Sequence, residues 1–410
     1  MAINEFDTYV SPFRRPSLSF LGYDIAWSRG EGAYLYDDKG ARYLDLCSGF
    51  AVFGFGRNNP RLISAAIESL QSCAPNLVQL DCPAGAGELA ALLLAKAPPS
   101  LTRVAFCNSG TESIEAAIKF ARRTTQRTKC VHCTGSFHGL STGALSLNGD
   151  LPQFRDGFGQ LLSNEAVPFN DIEALRKIVS AGDCAAFVVE AIQGKSMSTA
   201  DDEYLRSAQE LCERYGTLLV IDEVQSGLGR TGDMFACSRS GIQPDVMTLS
   251  KALSGGIVPI GACLHSERVH RAVFDSSTWW THSSTFKENA LAMAVGKAAI
   301  LELDDGRYLE RIQKLSAVFV EHLNGLKARH AAIKEIRGRG LMLGVILDGE
   351  PLDVMQNVIS KMLKEHHVHI QPAGWLKITP AFTLSEEDIS YFCSSLDLVL
   401  ASWKPNHHPK

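Results

Sequence analysis

The sequence predicts an α/β fold: a large domain on a mostly parallel sheet flanked by helices, joined to a smaller α+β domain. Three observations predict it. Between about residues 60 and 290, short apolar runs of strand length alternate with longer stretches of helical periodicity, the order that parallel crossover units produce. From about 305 to 400 the pattern instead mixes helices with short strands. The chain has 410 residues, 45% of them apolar and 21% charged, which gives room for two or three domains of ordinary globular make-up. The expected boundaries are an N-terminal segment, 1–55, that joins the small domain, a large domain, 56–304, and the small C-terminal domain, 305–410.

Taken in order, the elements follow from local chemistry. Gly32 to Gly40 reads as a hairpin, with Asp37-Asp38-Lys39-Gly40 turning between two alternating runs. Helical periodicity covers Leu62–Ser72, Thr111–Arg123 and Tyr204–Tyr215. The buried strands are Arg103–Cys107, Ala186–Glu190, Leu218–Ile221 and Val246–Leu249. A helix from Asn289 to Leu303 leads into the last third. There helices Tyr308–His330 and Met355–His366 accompany strands Gly344–Leu347 and Trp375–Ile378. No internal repeat or low-complexity segment interrupts the pattern.

Composition narrows the function. A net charge of −5 with scattered basic residues favours neither nucleic acid nor an anionic membrane as partner. Eleven cysteines, an odd number without disulfide-module spacing and several in apolar company (Cys107, Cys237, Cys263), read as reduced and buried, hence cytoplasmic. Cys130-Val131-His132-Cys133 lacks a second ligand pair, so it reads as part of a strand and no metal is expected. The N-terminus lacks signal-peptide character and no apolar run reaches membrane-spanning length. The pair His407-His408 is too short for a metal site.

Ligands in open α/β sheets gather beyond the carboxyl ends of the strands, and chemistry-bearing residues concentrate there: Ser109, Glu190, Asp222 and Lys251 each follow or end an apolar run. A lysine and an aspartate so placed suit pyridoxal 5′-phosphate. The lysine forms a Schiff base with its aldehyde, and the aspartate keeps the ring nitrogen protonated so that the ring accepts electrons. Asn108-Ser109-Gly110-Thr111-Glu112-Ser113 opens a helix after a strand and offers N–H groups to an anion, although Ser109 or Thr111 also reads as a plain helix cap. Ser136-Phe137-His138-Gly139 presents a flat ring that either stacks on a cofactor or fills the core. In Asp222 to Gly232 an acid is followed by small residues and Arg230, which anchors the loop or binds anions, though a loop arginine more often does neither. No Gly-x-Gly-x-x-Gly follows a first strand, which sets a dinucleotide-binding fold aside.

Together these segments, with Leu249-Ser250-Lys251-Ala252-Leu253-Ser254 and His282-Ser283-Ser284-Thr285-Phe286, resemble the ordered motifs of the class III (ornithine/4-aminobutyrate/putrescine type) aminotransferases over roughly residues 25–400. The resemblance implies a fold type I enzyme with a seven-stranded type of sheet, pyridoxal 5′-phosphate as cofactor, and a homodimer with shared active sites. It implies that Lys251 carries the cofactor and shuttles the proton and that Asp222 pairs with the ring nitrogen. Ser109, Gly110 and Thr111 hold the phosphate. Phe137, with His138 beside it, and Val224 flank the ring. Gln225 reaches the ring hydroxyl, Glu190 orients groups near the ring, and Thr285 reaches the phosphate of the neighbouring subunit.

Departures from the family bear on substrate. Lys377 stands where many members have the arginine that grips a carboxylate, and a point charge does not replace that planar fork. Lys195 stands where the family has the glutamate that covers the arginine. Lys287-Glu288-Asn289-Ala290 replaces a Gly-Gly-Asn-Pro sequence. Phe53 and Phe55 fall where members line the substrate channel. The expectation is a donor without an α-amino acid head: a diamine, an ω-amino acid or a longer amine. A conventional glutamate-linked ornithine or acetylornithine activity, and racemase, decarboxylase or aminomutase chemistry on the same fold, are the alternatives. The sequence leaves open whether the substrate is free or tethered to a carrier protein.

Overall fold

The structure, a computed structural model, describes residues 2–149, 152–305 and 307–405, and the pair His407-His408 lies outside them. The chain forms two compact units, one of Met1–Asn58 with Gln313–Lys410 and one of Asn59–Ile312.

The first unit opens with an antiparallel meander: β1 (Trp27–Glu31), β2 (Tyr34–Asp37) and β3 (Arg42–Asp45). The expected hairpin is β2 and β3, with Tyr34 opposite Leu44 and Tyr36 opposite Arg42. Buried Asp45 ends β3 as a hub. Its Oδ1 accepts from the Cys47 and Ser48 amides (3.0 Å each) and from His369 Nδ1 (2.9 Å), and its Oδ2 accepts from Arg57 Nε (2.9 Å) and Nη2 (2.8 Å). Burial alone would raise this carboxyl, but His369, Arg57 and the Ser48 amide outweigh it and hold it at about 2. The chain then takes a left-handed turn: φ is 45° at Ser48, 62° at Gly49, 61° at Phe50 and 68° at Ala51. For the three that are not glycine this is strained backbone. Phe53 lies under the Arg57 guanidinium at 4.3 Å. Phe55 is buried edge-on against Phe382.

The second unit is built on seven strands: β4 (Leu101–Cys107), β5 (Lys129–Cys133), β6 (Asn164–Val167), β7 (Cys184–Glu190), β8 (Leu218–Asp222), β9 (Val246–Leu249) and β10 (Gly261–Ser266). Their order is β4-β10-β9-β8-β7-β5-β6. Only β10 is antiparallel to its neighbours, so the other six point their carboxyl ends to one edge. β7 and β8 are buried throughout, as expected of strands covered on both faces. Val131, Cys133, Phe187 and Val189 pack in one core cluster, and Cys130, Ala186 and Val188 in another. Cys130 and Cys133 therefore sit on opposite faces of β5. Helix Gly110–Thr125 follows β4, buries Ile114, Ala117, Ile118 and Ala121 along one stripe, and is capped by Ser109 Oγ, which accepts from the Glu112 amide at 3.2 Å.

The chain returns to the first unit with β11 (Ile333–Arg339), β12 (Met342–Leu347), β13 (Val368–His369), β14 (Gln371–Pro372) and β15 (Leu376–Ile378). β13 joins β3 in parallel, while the others form the sheet β11-β12-β15-β14. The helix expected over Met355–His366 divides into a π-helical turn, Met355–Ile359, and an α-helix, Ser360–His366. Lys377 lies on β15, buried, opposite Gly344.

Candidate active site

The strand ends deliver their residues to one cavity of about 190 Å³ in the second unit. Helix Gly110–Thr125 contributes Gly110 and Thr111, and the turn after β5 contributes Phe137, His138 and Gly139. Glu190 ends β7 and Asp222 ends β8, with Val224 and Gln225 just beyond; Ser250 and Lys251 follow β9. Of the residues picked out from the sequence, Gly110, Thr111, Phe137, His138, Glu190, Asp222, Val224, Gln225 and Lys251 share this cavity. Ser109 stands one residue before Gly110, its hydroxyl used as the helix cap.

Asp222 is held on both oxygens. Oδ1 accepts from the Val224 amide (3.0 Å) and Thr248 Oγ1 (3.1 Å), and Oδ2 pairs with His138 Nδ1 (2.7 Å). Burial opposes charge on His138, but the Asp222 contact outweighs it and holds the imidazole above its ordinary pKa. Asn148 Oδ1 accepts from the His138 amide (2.7 Å) and its Nδ2 donates to the Gly139 carbonyl (2.8 Å), which fixes that turn. Glu190 accepts from the Gly194 amide (2.7 Å) and the Phe137 amide (3.2 Å). Burial pushes its carboxyl up to about 6, with Asp222 adding to the rise and His138 and the two amides opposing it. Lys251 is half-buried and its ammonium is driven below the ordinary lysine value, first by desolvation and then by Arg230, against the pull of Asp222 and Glu190. Its backbone adopts φ 44°.

Several features make the cavity a receptor for a flat group with an anionic arm. A β-carbon on Gly110 would come within 2.8 Å of Val224 Cγ1, so the helix start approaches this wall only as glycine. That helix start offers unpaired N–H groups, which favour an anion. The buried atoms Gln225 Nε2 and His138 Nε2 have no hydrogen-bond partner among the described residues, an arrangement that a bound polar group completes. Phe137 and Val224 supply apolar contact, and Asp222 is a buried carboxylate.

Other picked residues lie elsewhere. Thr285 lines a second cavity of about 190 Å³ with Trp279, Trp280 and the stretch 75–83; its neighbour Ser284 accepts from Asn108 Nδ2 at 2.8 Å. Phe53, Phe55 and Lys377 belong to the first unit. Lys195 is exposed, next to Gly194.

Sequence reasoning leaned to the wrong setting for one neighbour of the site and missed another. Arg230 is almost completely buried, not a solvated loop residue, and burial brings its guanidinium down to about 9. Phe154 stands edge-on to Phe137, ring centroids 5.9 Å apart. Neither carries a sequence signal, since both depend on packing by distant elements. A third, Ser250, was available from its place directly before Lys251; its hydroxyl donates to the Ile260 carbonyl at 2.7 Å.

The profile described as "Aminotransferase class-III" matches residues 21–400. The chain is 38% identical to aminotransferase PigE of a Serratia species over 84% of its own length, and spans 41% of that protein. It is 40% identical to the acetylornithine aminotransferase of Methanopyrus kandleri, over 80% of this chain and 82% of the relative. The ornithine aminotransferase of Toxoplasma gondii, solved with PLP at partial occupancy in its active site, superposes with a TM-score of 0.84 at 29% identity, covering 92% of this chain and 90% of that one.

Proposed function

Since the chain belongs to the class-III aminotransferases and, like that family, depends on pyridoxal 5′-phosphate, we propose that it moves an amino group from an amine or ω-amino donor to a carbonyl acceptor, a 2-oxo acid or an aldehyde. The donor reading rests on Lys377 and Lys195, which the resemblance of the sequence sets at the carboxylate-handling positions where the family has arginine and glutamate. A lysine at the first position lacks the arginine fork, and a lysine at the second lacks the carboxylate that would cover it.

When bound, the cofactor supplies the electron sink that lets an amine carbon release its proton. Lys251 takes that proton at Nζ and returns it. Its desolvated setting, which lowers the ammonium from the ordinary lysine value, favours this role. Asp222 pairs with the ring nitrogen, its orientation fixed by His138, Thr248 and the Val224 amide. Gly110 and Thr111, behind the Ser109 cap, hold the phosphate with backbone N–H groups. Phe137 and Val224 enclose the ring, and Gln225 donates its unpartnered amide to the ring hydroxyl. Glu190 fixes the Phe137 and Gly194 amides beside it. Thr285 serves the phosphate of a second copy, in a homodimer working in the cytoplasm.

The test adds donors singly to the holoenzyme, without acceptor, and follows loss of the visible band of the lysine-bound cofactor. Putrescine, 4-aminobutyrate or a long primary amine should discharge the band, and glutamate and alanine should not. Rapid discharge by glutamate or ornithine favours instead a glutamate-linked enzyme, the reading that the identity to the M. kandleri protein supports. Turnover with no second carbonyl compound would point to racemase, decarboxylase or aminomutase chemistry.

A further inference from the structure

Resting on that reading of the donor, we propose that Lys195 and Phe154 form a subsite for a carboxylate at the far end of the donor. The preferred donor is then an ω-amino acid, not a diamine.

Lys195 follows Gly194, whose backbone packs against two residues of the cavity wall. The Gly194 amide donates to Glu190 Oε1 at 2.7 Å, and a β-carbon on Gly194 would come within 2.2 Å of Gln225 Oε1. Glu190 and Gln225 both line the Lys251 cavity, so the next side chain leaves from its rim. The Lys195 ammonium sits 5.3 Å from the centroid of the Phe154 ring. That ring in turn meets Phe137 of the cavity at 5.9 Å and 71°. The cation–π contact orients the ammonium without neutralising it. Among the described residues no carboxylate lies within 4.0 Å of Lys195, and the nearby Glu190 is buried and engaged by two amides. An exposed lysine head group is therefore held beside the site, one aromatic ring away from Phe137.

A donor with its amine placed beside Lys251 would run its methylenes along Phe137 and Phe154, which offer apolar surface. Its far end arrives beneath the ammonium. A carboxylate there gains a charge-assisted contact, whereas the second ammonium of a diamine meets a like charge.

The experiment compares 6-aminohexanoate, hexylamine and hexane-1,6-diamine as donors to the holoenzyme, with specificity constants for the unaltered protein, Lys195→Met, Lys195→Glu and Phe154→Leu. The unaltered protein should prefer 6-aminohexanoate to hexylamine by about tenfold, the size of one partly solvated charge contact, and hexylamine to the diamine. Lys195→Met should bring these ratios close to one, and Lys195→Glu should invert them. Phe154→Leu should shrink the preference several-fold, and added salt should narrow it in the unaltered protein. Ratios that persist in both Lys195 variants overturn the subsite while the donor reading stands. If only α-amino acids discharge the cofactor, the donor reading falls and the subsite with it.

Discussion

Lys251 illustrates how a single residue acquires chemistry from its surroundings. Desolvation drives its ammonium down and the nearby carboxylates limit the drop. Replacing it, Lys251→Ala, should lower transamination by on the order of 10³-fold or more, near the upper range for removing a positioned acid–base group. Borohydride treatment followed by mass analysis should label the peptide holding residue 251 in the unaltered protein and leave the variant unlabelled. Gly110 makes a steric counterpart. Gly110→Ala sets a methyl group 2.8 Å from Val224 Cγ1, and the wall must shift; cofactor affinity, read by titrating the apoprotein, should fall about tenfold, a loss near 1.4 kcal/mol. Lys251, Asp222 and Glu190 were legible in the sequence because each breaks an apolar run at its end. Arg230 was not: a loop arginine announces burial only through contacts made by other parts of the chain.

At the scale of elements, β5 and β10 each bury an imidazole. Burial pushes His132 and His265 down to about 4. A folded-state pKa below the unfolded value means that the native state prefers the neutral ring. The stability this confers is complete above the unfolded pKa of about 6.5 and is lost as pH falls toward 4. Thermal unfolding of the apoprotein should therefore drop steeply between those values, by up to about 1.4 kcal/mol per pH unit for each ring. His265→Asn should flatten the slope. Asp45, the hub at the end of β3, titrates in the same sense at lower pH: its contribution is present above about 3.9 and disappears as pH falls through about 2. Asp45→Ala strands Arg57 and His369 and releases two amides beside the left-handed turn. The expected loss is about 3–5 kcal/mol, measurable by urea denaturation at pH 7. The hairpin ending at this hub was readable from its turn residues. The reversal of β10 was readable in principle, since only residues 250–260 separate it from β9, too few for the usual parallel crossover. The π turn at Met355–Ile359 had no signal, because one extra residue in a helical ladder leaves the apolar periodicity nearly intact.

For the whole molecule, the position of Thr285 matters most. It lies on a surface with exposed Trp279 and Trp280, outside the Lys251 cavity of its own chain. If two copies complete one another, Lys251→Ala and Thr285→Ala chains, each impaired alone, should regain activity when unfolded together and refolded with cofactor, because the mixed dimer holds one intact site. Activity no higher than the separate preparations would argue that each chain works alone. Sheet order carries a further consequence for synthesis. β4 pairs only with β10 among the described residues, and residues 101–107 leave the ribosome well before 261–266. At about 5–20 residues per second, the nascent strand waits roughly ten to thirty seconds for its partner. Throughout that interval an apolar strand edge is open to strangers. Chaperone demand and inclusion-body formation should therefore track elongation speed across codons 108 to 266.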